Sequence, residues 1–472
     1  FTKGNNTMKK LLLILLCLPM IGLGQGWSYA YPPFGLIDQE HGFDVKQTID
    51  SNYIVCGTSY SYTVNAPIGN QIISSNQNGT LWKINSNGII EWTKYFGHNN
   101  DSILSFRSIE ETVDGGYITV GVLDSIYLIL IKTDILGNKE WEIEIEDNFS
   151  SPHSLVKIIK SVNNSGFILT YNMMTSSVEQ GVVMKISNSG QIEWKIPASF
   201  YNNNYVSSSF NDVIQTNNNE YVISGSFSGN SNKLLIRIDS LGNYISHNSI
   251  LEYTIDHFLV EDQNNNILTT AFAPGSFFIS LRKYNSSLIQ QWSNSINLGG
   301  TTHQFLNPPI GSSGLNGYLE WFDLTNIILT TNNNYLFFGS AVFLDPMIQN
   351  NLGSFPAIIK IDNNGNFLWA KVIYPNSSVQ YQNFGVSKGI QTNDNGFAIC
   401  GTRNNTFSDN DMFLMKTNNQ GNITSIFNIP TISKKKLIKV VDILGREIVP
   451  NSNTPFIEIY DDGSVEKKVI IE

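Results

Sequence analysis

The sequence predicts an all-β chain, a seven-bladed β-propeller of four-stranded antiparallel blades followed by a short β segment at its C-terminal end. Three observations carry that prediction. A phrase of short apolar runs divided by Asn, Asp and Gly turns recurs seven times. Within it, a cation, a turn-capping residue and a tryptophan hold fixed spacing. The composition has only 14% charged residues and a polar remainder rich in Asn, Ser and Thr, which favours strands and turns over solvated helices.

The clearest copy begins at Phe106, turns at Val113-Asp114-Gly115, continues through Gly116-Tyr117-Ile118 and Tyr127-Leu128-Ile129, turns at Gly137 and ends on Trp141. Each piece reads as a strand closed by a tight hairpin, so one copy holds four strands. Aligned on the last hairpin, the copies give Gly88, Gly137, Gly190, Gly242, Leu288, Gly365 and Gly421, separated by 49, 53, 52, 46, 77 and 56 residues. Five residues earlier stand Lys83, Lys132, Lys185, Arg237, Lys283, Lys360 and Lys416. Three residues earlier stand Asn85, Asp134, Ser187, Asp239, Asn285, Asp362 and Asn418. Four residues later comes Trp92, Trp141, Trp194, Trp292 or Trp369, with Ser246 and Ser425 in the fourth and seventh copies. The capping residues are expected to accept backbone N–H bonds, the cations to be solvated strand ends, and the tryptophans to pack between blades.

A lone four-stranded sheet of this size leaves both faces bare, and stacking seven of them around an axis covers the faces and closes the ring. Separate sandwich domains would each need about twice the strands. The expected organisation is residues 1–24 as upstream extension and export signal, 25–430 as propeller and 431–472 as a C-terminal segment. Blades are expected near 43–97, 106–146, 155–199, 210–250, 258–298, 324–374 and 384–428. The export reading rests on Lys9 and Lys10, the apolar run Leu11 to Leu18 and the small residues Gly22 to Gly24. No transmembrane span is expected in the mature chain. Cys17 falls in the signal; Cys56 and Cys400 occupy one repeat position and read as packing residues.

In such a ring the first-to-second and third-to-fourth turns share one face. The second-to-third loops and blade crossings share the other, where length varies: Thr58 to Gly79, Tyr171 to Gln180, Ala198 to Ser208, Ala341 to Ser354 and Leu298 to Phe322. Variable loops on a rigid scaffold are where binding is expected. Tyr60, Tyr62, Tyr201, Tyr205, Phe305, Tyr318 and Trp321 are the candidate ligand-binding residues there, as aromatics in polar loops.

Nothing marks catalysis. The six histidines show no metal-ligand spacing, and no HExxH, GxSxG or phosphate-cradling loop occurs. Asp409-Asn410-Asp411 and Asp461-Asp462-Gly463 lack a complete calcium-loop pattern. No cofactor, metal or catalytic residue is therefore expected, although carboxylates of distant blades could meet over the channel. A net charge of -10 without an internal Lys/Arg stripe excludes nucleic acid as a partner.

The Asp-Gly-Gly-Tyr-Ile stretch at Asp114 to Ile118, with Ile-Lys-Thr-Asp at Ile131 to Asp134, resembles the secreted β-propeller repeats of Bacteroidetes surface proteins over residues 43–428. The last hairpin is also similar to the tryptophan-docking motif of quinoprotein dehydrogenases, but Lys replaces the usual alanine and no quinone site is evident. The tail, from Lys434-Lys435-Lys436 through Asp442-Ile443-Leu444-Gly445-Arg446 to Pro455–Glu472, resembles a type IX secretion C-terminal sorting domain of marine Flavobacteria. That resemblance implies the type IX machinery as a partner and a secreted or outer-membrane surface-attached product. Asp-Ser-aliphatic triplets at Ser102, Ser125 and Ser240 are similar to O-glycosylation sites of that phylum. The function expected is a binding or adhesion module for glycan or protein; the alternatives are a secreted enzyme acting on polysaccharide and a structural spacer.

Overall fold

The computed structural model describes residues 27–31, 38–65, 71–97, 102–149, 155–175, 178–201, 207–227, 232–251, 258–272, 278–299, 305–306, 318–344, 351–373, 382–404, 410–423, 437–442, 446–449, 456–460 and 465–468. Five blades take four consecutive antiparallel strands each. They run from β2 (Asp38–Gln47) to β5 (Ile90–Phe96), β6 (Leu104–Glu111) to β9 (Lys139–Glu146), and β10 (Val156–Lys160) to β13 (Ile192–Pro197). The next two run from β14 (Ser208–Gln215) to β17 (Tyr244–Leu251) and from β18 (Leu259–Glu261) to β21 (Gln290–Asn297). Blade 6 runs from β22 (Tyr318–Leu329) to β25 (Phe367–Val372) and touches blade 7 through the parallel pairings Gly353 with Gln382 and Ser354 with Asn383.

Blade 7 is built differently. It holds β26 (Gln382–Gln391), β27 (Phe397–Asn404) and β28 (Asn410–Thr417), and its outer strand is β1 (Trp27–Tyr31), antiparallel to β28. The expected blade 384–428, with a fourth strand passing Ser425, is thereby corrected. A chain closing its ring with its own beginning locks first blade to last. The register places Trp27 opposite Lys416, as Trp92, Trp141, Trp194, Trp292 and Trp369 stand opposite Lys83, Lys132, Lys185, Lys283 and Lys360.

Apolar clusters bridge every seam of the ring. The closing seam buries Val45, Tyr53, Val55 and Trp82 of blade 1 against Ala398, Cys400, Met412 and Leu414 of blade 7. Both faces of the second and third strands are covered, so their sequences are near-continuous apolar runs such as Tyr117–Leu123. Cys56 and Cys400 are buried, unbonded thiols whose pKa burial drives well above the ordinary value.

The third-to-fourth turns are one design used seven times. Asn85, Asp134, Ser187, Asp239, Asn285, Asp362 and Asn418 each accept backbone N–H bonds from two or four residues on, at 2.8 to 3.1 Å. The anchor residue that follows has positive φ, between 70° and 86° in the glycines and 59° in Leu288. A close approach adds to the demand for glycine. A Cβ on Gly137 would lie 2.7 Å from the Trp92 ring of the preceding blade, and one on Gly365 would lie 2.8 Å from Trp292. Where blade 4 substitutes Ser246 for the tryptophan, blade 5 substitutes Leu288 for the glycine. Its side chain is buried, packing with Val222, Leu235 and Tyr284.

Four of the cations are not solvated strand ends, and for them that expectation is corrected. Lys83, Lys132, Lys283 and Lys416 are 3–4% exposed. They stand within strands whose faces are both covered, so burial holds only because each meets an acid of its own blade's first turn. The pairs are Lys83 with Asp50 (3.0 Å), Lys132 with Asp114 (3.0 Å), Lys283 with Asp262 (2.7 Å) and Lys416 with Asp394 (2.7 Å). Lys83 and Lys283 also lie over tyrosines of the next blade, Tyr117 at 5.6 Å and Tyr335 at 5.7 Å.

Several expected loops are ladders. Thr58 to Gly79 continues as paired strand out to Asn65 and Gln71, and Tyr171 to Gln180 pairs out to Thr175 and Val178. Within Leu298 to Phe322, Leu306 pairs with the outer strand of blade 6 through Leu306 N to Ala370 O (2.8 Å) and Val372 N to Leu306 O (3.1 Å). Among the described residues no helix is long and apolar enough to cross a membrane. The second compact unit, Phe427–Glu472, holds an antiparallel sheet of β29 (Leu437–Val441), β30 (Phe456–Tyr460) and β31 (Val465–Lys468), with Arg446 bonded to Asp442 (2.7 Å) in its first turn.

Candidate functional site

The innermost strands build the site. In five blades that strand carries a bulge at one equivalent place, and the extra residues are Phe43, Arg107, Asn211, Thr325 and Ser387. A bulge re-aims its side chain, and all five line a central cavity of about 170 Å³. Asp44, Ser108, Lys157, Asp212, Phe258, Asn326 and Lys388 line it too, one from each blade. Six of them pair with the fourth residue of their second strand, Cys56, Val120, Thr170, Ser224, Phe338 and Cys400. Thr270 fills that place in blade 5, its N–H bonded to Phe258 O at 3.2 Å. The volume lies below the ~300 Å³ at which drug-sized pockets begin, so the cavity suits an ion or one functional group.

The ring also stitches neighbouring blades together. Asp44 of blade 1 accepts from Ser108 Oγ (2.9 Å) and Ile109 N (3.2 Å) of blade 2, and from its neighbour Val45 N (2.9 Å). Asp212 of blade 4 accepts from Leu259 N of blade 5 (2.9 Å), from Val213 N (2.9 Å) and from Lys157 of blade 3. Asn326 of blade 6 exchanges two 2.8 Å bonds with the backbone of Gly389 in blade 7. Both cavity carboxylates are thus committed to wall donors on each oxygen.

Deeper, Lys46 meets Glu110 at 2.6 Å. Burial opposes the charge on Lys46, but Glu110 and Asp44 together hold its pKa above that of ordinary lysine. Burial lowers Arg107 to about 10, still charged at neutral pH, and Tyr60 lies close enough to act on it. Arg107 stacks on Phe43 at 4.0 Å, Phe43 on His41 at 6.2 Å, and Tyr60 meets His41 edge-on at 5.5 Å. His41 Nδ1 is 3.0 Å from Thr402 Oγ1 of blade 7, which ties this cluster across the closing seam.

The sequence-derived candidates do not converge on one place. Tyr60 belongs to the cluster just described. Trp321 is half-buried on β22 and bonds the Asp323 carboxylate. Phe305 is a core residue, 5% exposed and packed on Phe322 and Phe343, so it pins the insertion rather than presenting a ring. Tyr201, in the helical turn α1 (Ala198–Tyr201), gives its hydroxyl to Gly242 O (3.3 Å) and stacks on Tyr244. That places it against a third-to-fourth turn of blade 4, away from the variable face. Burial raises its pKa. Tyr62 and Tyr318 lie on β3 (Tyr53–Asn65) and β22, with side chains outside the described residues; Tyr205 lies outside them entirely. Ser102 of the first Asp-Ser triplet is buried. Among the described residues no group of three or more His, Cys, Asp or Glu could hold a metal ion.

The sequence reading missed the cavity ring. Its members stand nine residues before the first residue of their second strand, as Asp44 before Tyr53 and Lys388 before Phe397, or ten in blade 3. The spacing is constant but the residue type is not.

No protein-family model matches the chain, and no curated protein matches it. Among solved structures it is similar to the extracellular domains 1–2 of Drosophila Semaphorin 1a, at 7% identity and TM-score 0.44, over 82% of this chain and 88% of that one. A prolyl endopeptidase aligns at 9% identity and TM-score 0.43, over 96% of this chain and 57% of that one. An exo-β-1,3-galactanase from Phanerochaete chrysosporium aligns at 11% identity and TM-score 0.33, over 63% and 75%. The chain is a seven-bladed β-propeller on its own strand order; at these identities the likenesses concern the backbone and not the site.

Proposed function

We propose that the chain is an exported binding module whose ligand, a glycan or a protein, is held at the variable-loop mouth of the central channel. The observation that supports this reading is the stack of Tyr60, His41, Phe43 and Arg107 beside the cavity. Flat rings and a guanidinium at an opening suit sugar faces and polar side chains. Both cavity carboxylates accept wall donors on each oxygen, which supports binding over the polysaccharide-hydrolase alternative. Export is supported by the charged, apolar and small-residue order before Trp27 and by the tail's likeness to a type IX sorting segment.

A glycan array with the full chain, run beside a hydrolysis screen on the glycans it retains, tests the reading. Binding without turnover, weakened by Tyr60→Ala, is the expected result; saccharide turnover would replace it with the enzyme reading. Removing residues 431–472 in a host with type IX secretion is expected to abolish surface labelling, and unchanged labelling would contradict the assignment of the tail.

A further inference from the structure

The charges around the cavity do not cancel. Its cations are Lys46, Arg107, Lys157 and Lys388, and its acids are Asp44 and Asp212, with Glu110 behind Lys46. All three acids are engaged. Glu110 holds Lys46, Asp212 holds Lys157, and Asp44 is occupied by Ser108, Ile109 and Val45. Lys388 is left with no hydrogen bond or ion pair among the described residues. It is half-buried in the wall, where desolvation lowers its pKa; Asp44 and Asp212 act on it only at a distance, against Lys157 and Lys46. A half-buried ammonium that lines the cavity without an ion-pair partner, in a chain of net charge -10, is a positive charge left for a ligand to meet. Arg107, across blade 1 from Lys388, also lines the cavity and meets Phe43 through the face of its guanidinium.

We infer that the central cavity binds a small anion, a carboxylate or an oxyanion of phosphate size, with Lys388 as its principal charge partner and Arg107 as the second. About 170 Å³ accommodates such a group and little more. The hydroxyl of Ser387 and the amide of Asn211 on the same wall supply neutral donors around it. A free inorganic anion and the carboxylate of a sugar acid share this chemistry. The inference stands on the ring alone, so neutral-glycan binding at the mouth with no response to anions sinks it and leaves the preceding reading intact.

The test is titration of the full chain with inorganic phosphate, with glucuronate and with glucose at matched ionic strength, followed by calorimetry and by thermal unfolding. One saturable site for phosphate or glucuronate, a higher unfolding midpoint with that anion and no effect of glucose are expected. Phosphate alone identifies a free oxyanion, and glucuronate alone identifies a sugar acid. Lys388→Met is expected to abolish the anion response while keeping the wild-type midpoint without anion, because among the described residues it breaks no hydrogen bond or ion pair. Lys388→Arg is expected to keep binding, and Arg107→Gln to weaken it about tenfold, the loss of a charge-assisted contact. Absence of any anion response in the wild type, or an undiminished response in Lys388→Met, overturns the inference.

Discussion

Two seams of the ring depart from the repeat, and they do so in opposite ways. At the seam between blades 4 and 5 the tryptophan is gone, replaced by Ser246, and the facing glycine has become Leu288, whose side chain is buried there. At the seam between blades 7 and 1 the facing residue is still a glycine, Gly88 with φ 82°, although no tryptophan follows Gly421 at the repeat spacing. There the tryptophan is Trp27, brought by β1 to the register opposite Lys416. Glycine and tryptophan are thus two halves of one packing unit. The left-handed turn leaves room because the ring of the preceding blade takes it, as Trp92 does at Gly137. One seam exchanges both halves, and in the other β1 places a tryptophan, Trp27, at the register position that the missing one would hold.

The comparison can be broken most forcefully at Trp27. Trp27→Ala is expected to cost about 3–5 kcal/mol, the range for emptying an aromatic packing site, with the change in denaturant midpoint as readout. A loss below that of a surface substitution would remove Trp27 from the packing unit. Lys283→Met tests the cation opposite Trp292, in a standard unit at the seam between blades 5 and 6. It leaves Asp262, which is fully buried, without its counter-charge, and a destabilisation of about 3–5 kcal/mol is expected. The neighbouring contacts, Asn363 O at 3.1 Å and the Tyr335 ring, belong to blade 6, so unfolding of that seam should lead.

A smaller effect sharpens the contrast. Ser246→Trp alone forces a ring against Leu288 and is expected to cost about 1–3 kcal/mol by overpacking. Adding Leu288→Gly recreates the standard unit and should recover most of that loss, a coupling measurable in a double-mutant cycle. Additive costs would show that the two substitutions are unrelated. The least effect concerns acid. Burial works against the charge on Asp50, Asp114, Asp262 and Asp394, yet hydrogen bonds and the paired lysines hold all four below the usual carboxylate pKa, Asp114 at about 2. A carboxyl depressed on folding contributes stability in full above its unfolded pKa, near ~4, and loses it as pH falls through the folded value. Stability should therefore decline between about pH 4 and 2, and Asp114→Asn should flatten part of that slope in acid titrations followed by circular dichroism.

What was legible follows from distance along the chain. Seven blades and seven capped hairpins are local patterns, and each recurs within about fifty residues, so repetition exposed them. The closing strand was not legible, because Trp27 and Lys416 are paired across nearly the whole chain and the Gly26-Trp27 pair lacks the cation and cap that announce every other copy. The burial of the cations was hidden by assuming that a charge near a hairpin faces water. The acids that neutralise them sit one hairpin earlier, at Asp50, Asp114, Asp262 and Asp394, and their recurrence was the available signal. Of the aromatic residues in polar stretches, Tyr60 joins the stack beside the cavity. Phe305 and Tyr201 serve packing, whereas Phe43 and Arg107 are aimed inward by bulges that alternation alone does not reveal.

The claim beneath all of this is that β1 is the outer strand of blade 7. Cysteine pairs at Ser28 with Met415 and at Tyr29 with Leu414 test it, since antiparallel pairs alternate between near and far and one of two successive pairs should suit a disulfide. Oxidation of the folded chain is predicted to join one of these pairs, seen as a linked peptide by mass spectrometry, and to raise the unfolding midpoint. Failure of both pairs to link in folded protein, with residue 28 or 29 captured by a different strand or by none, would contradict it.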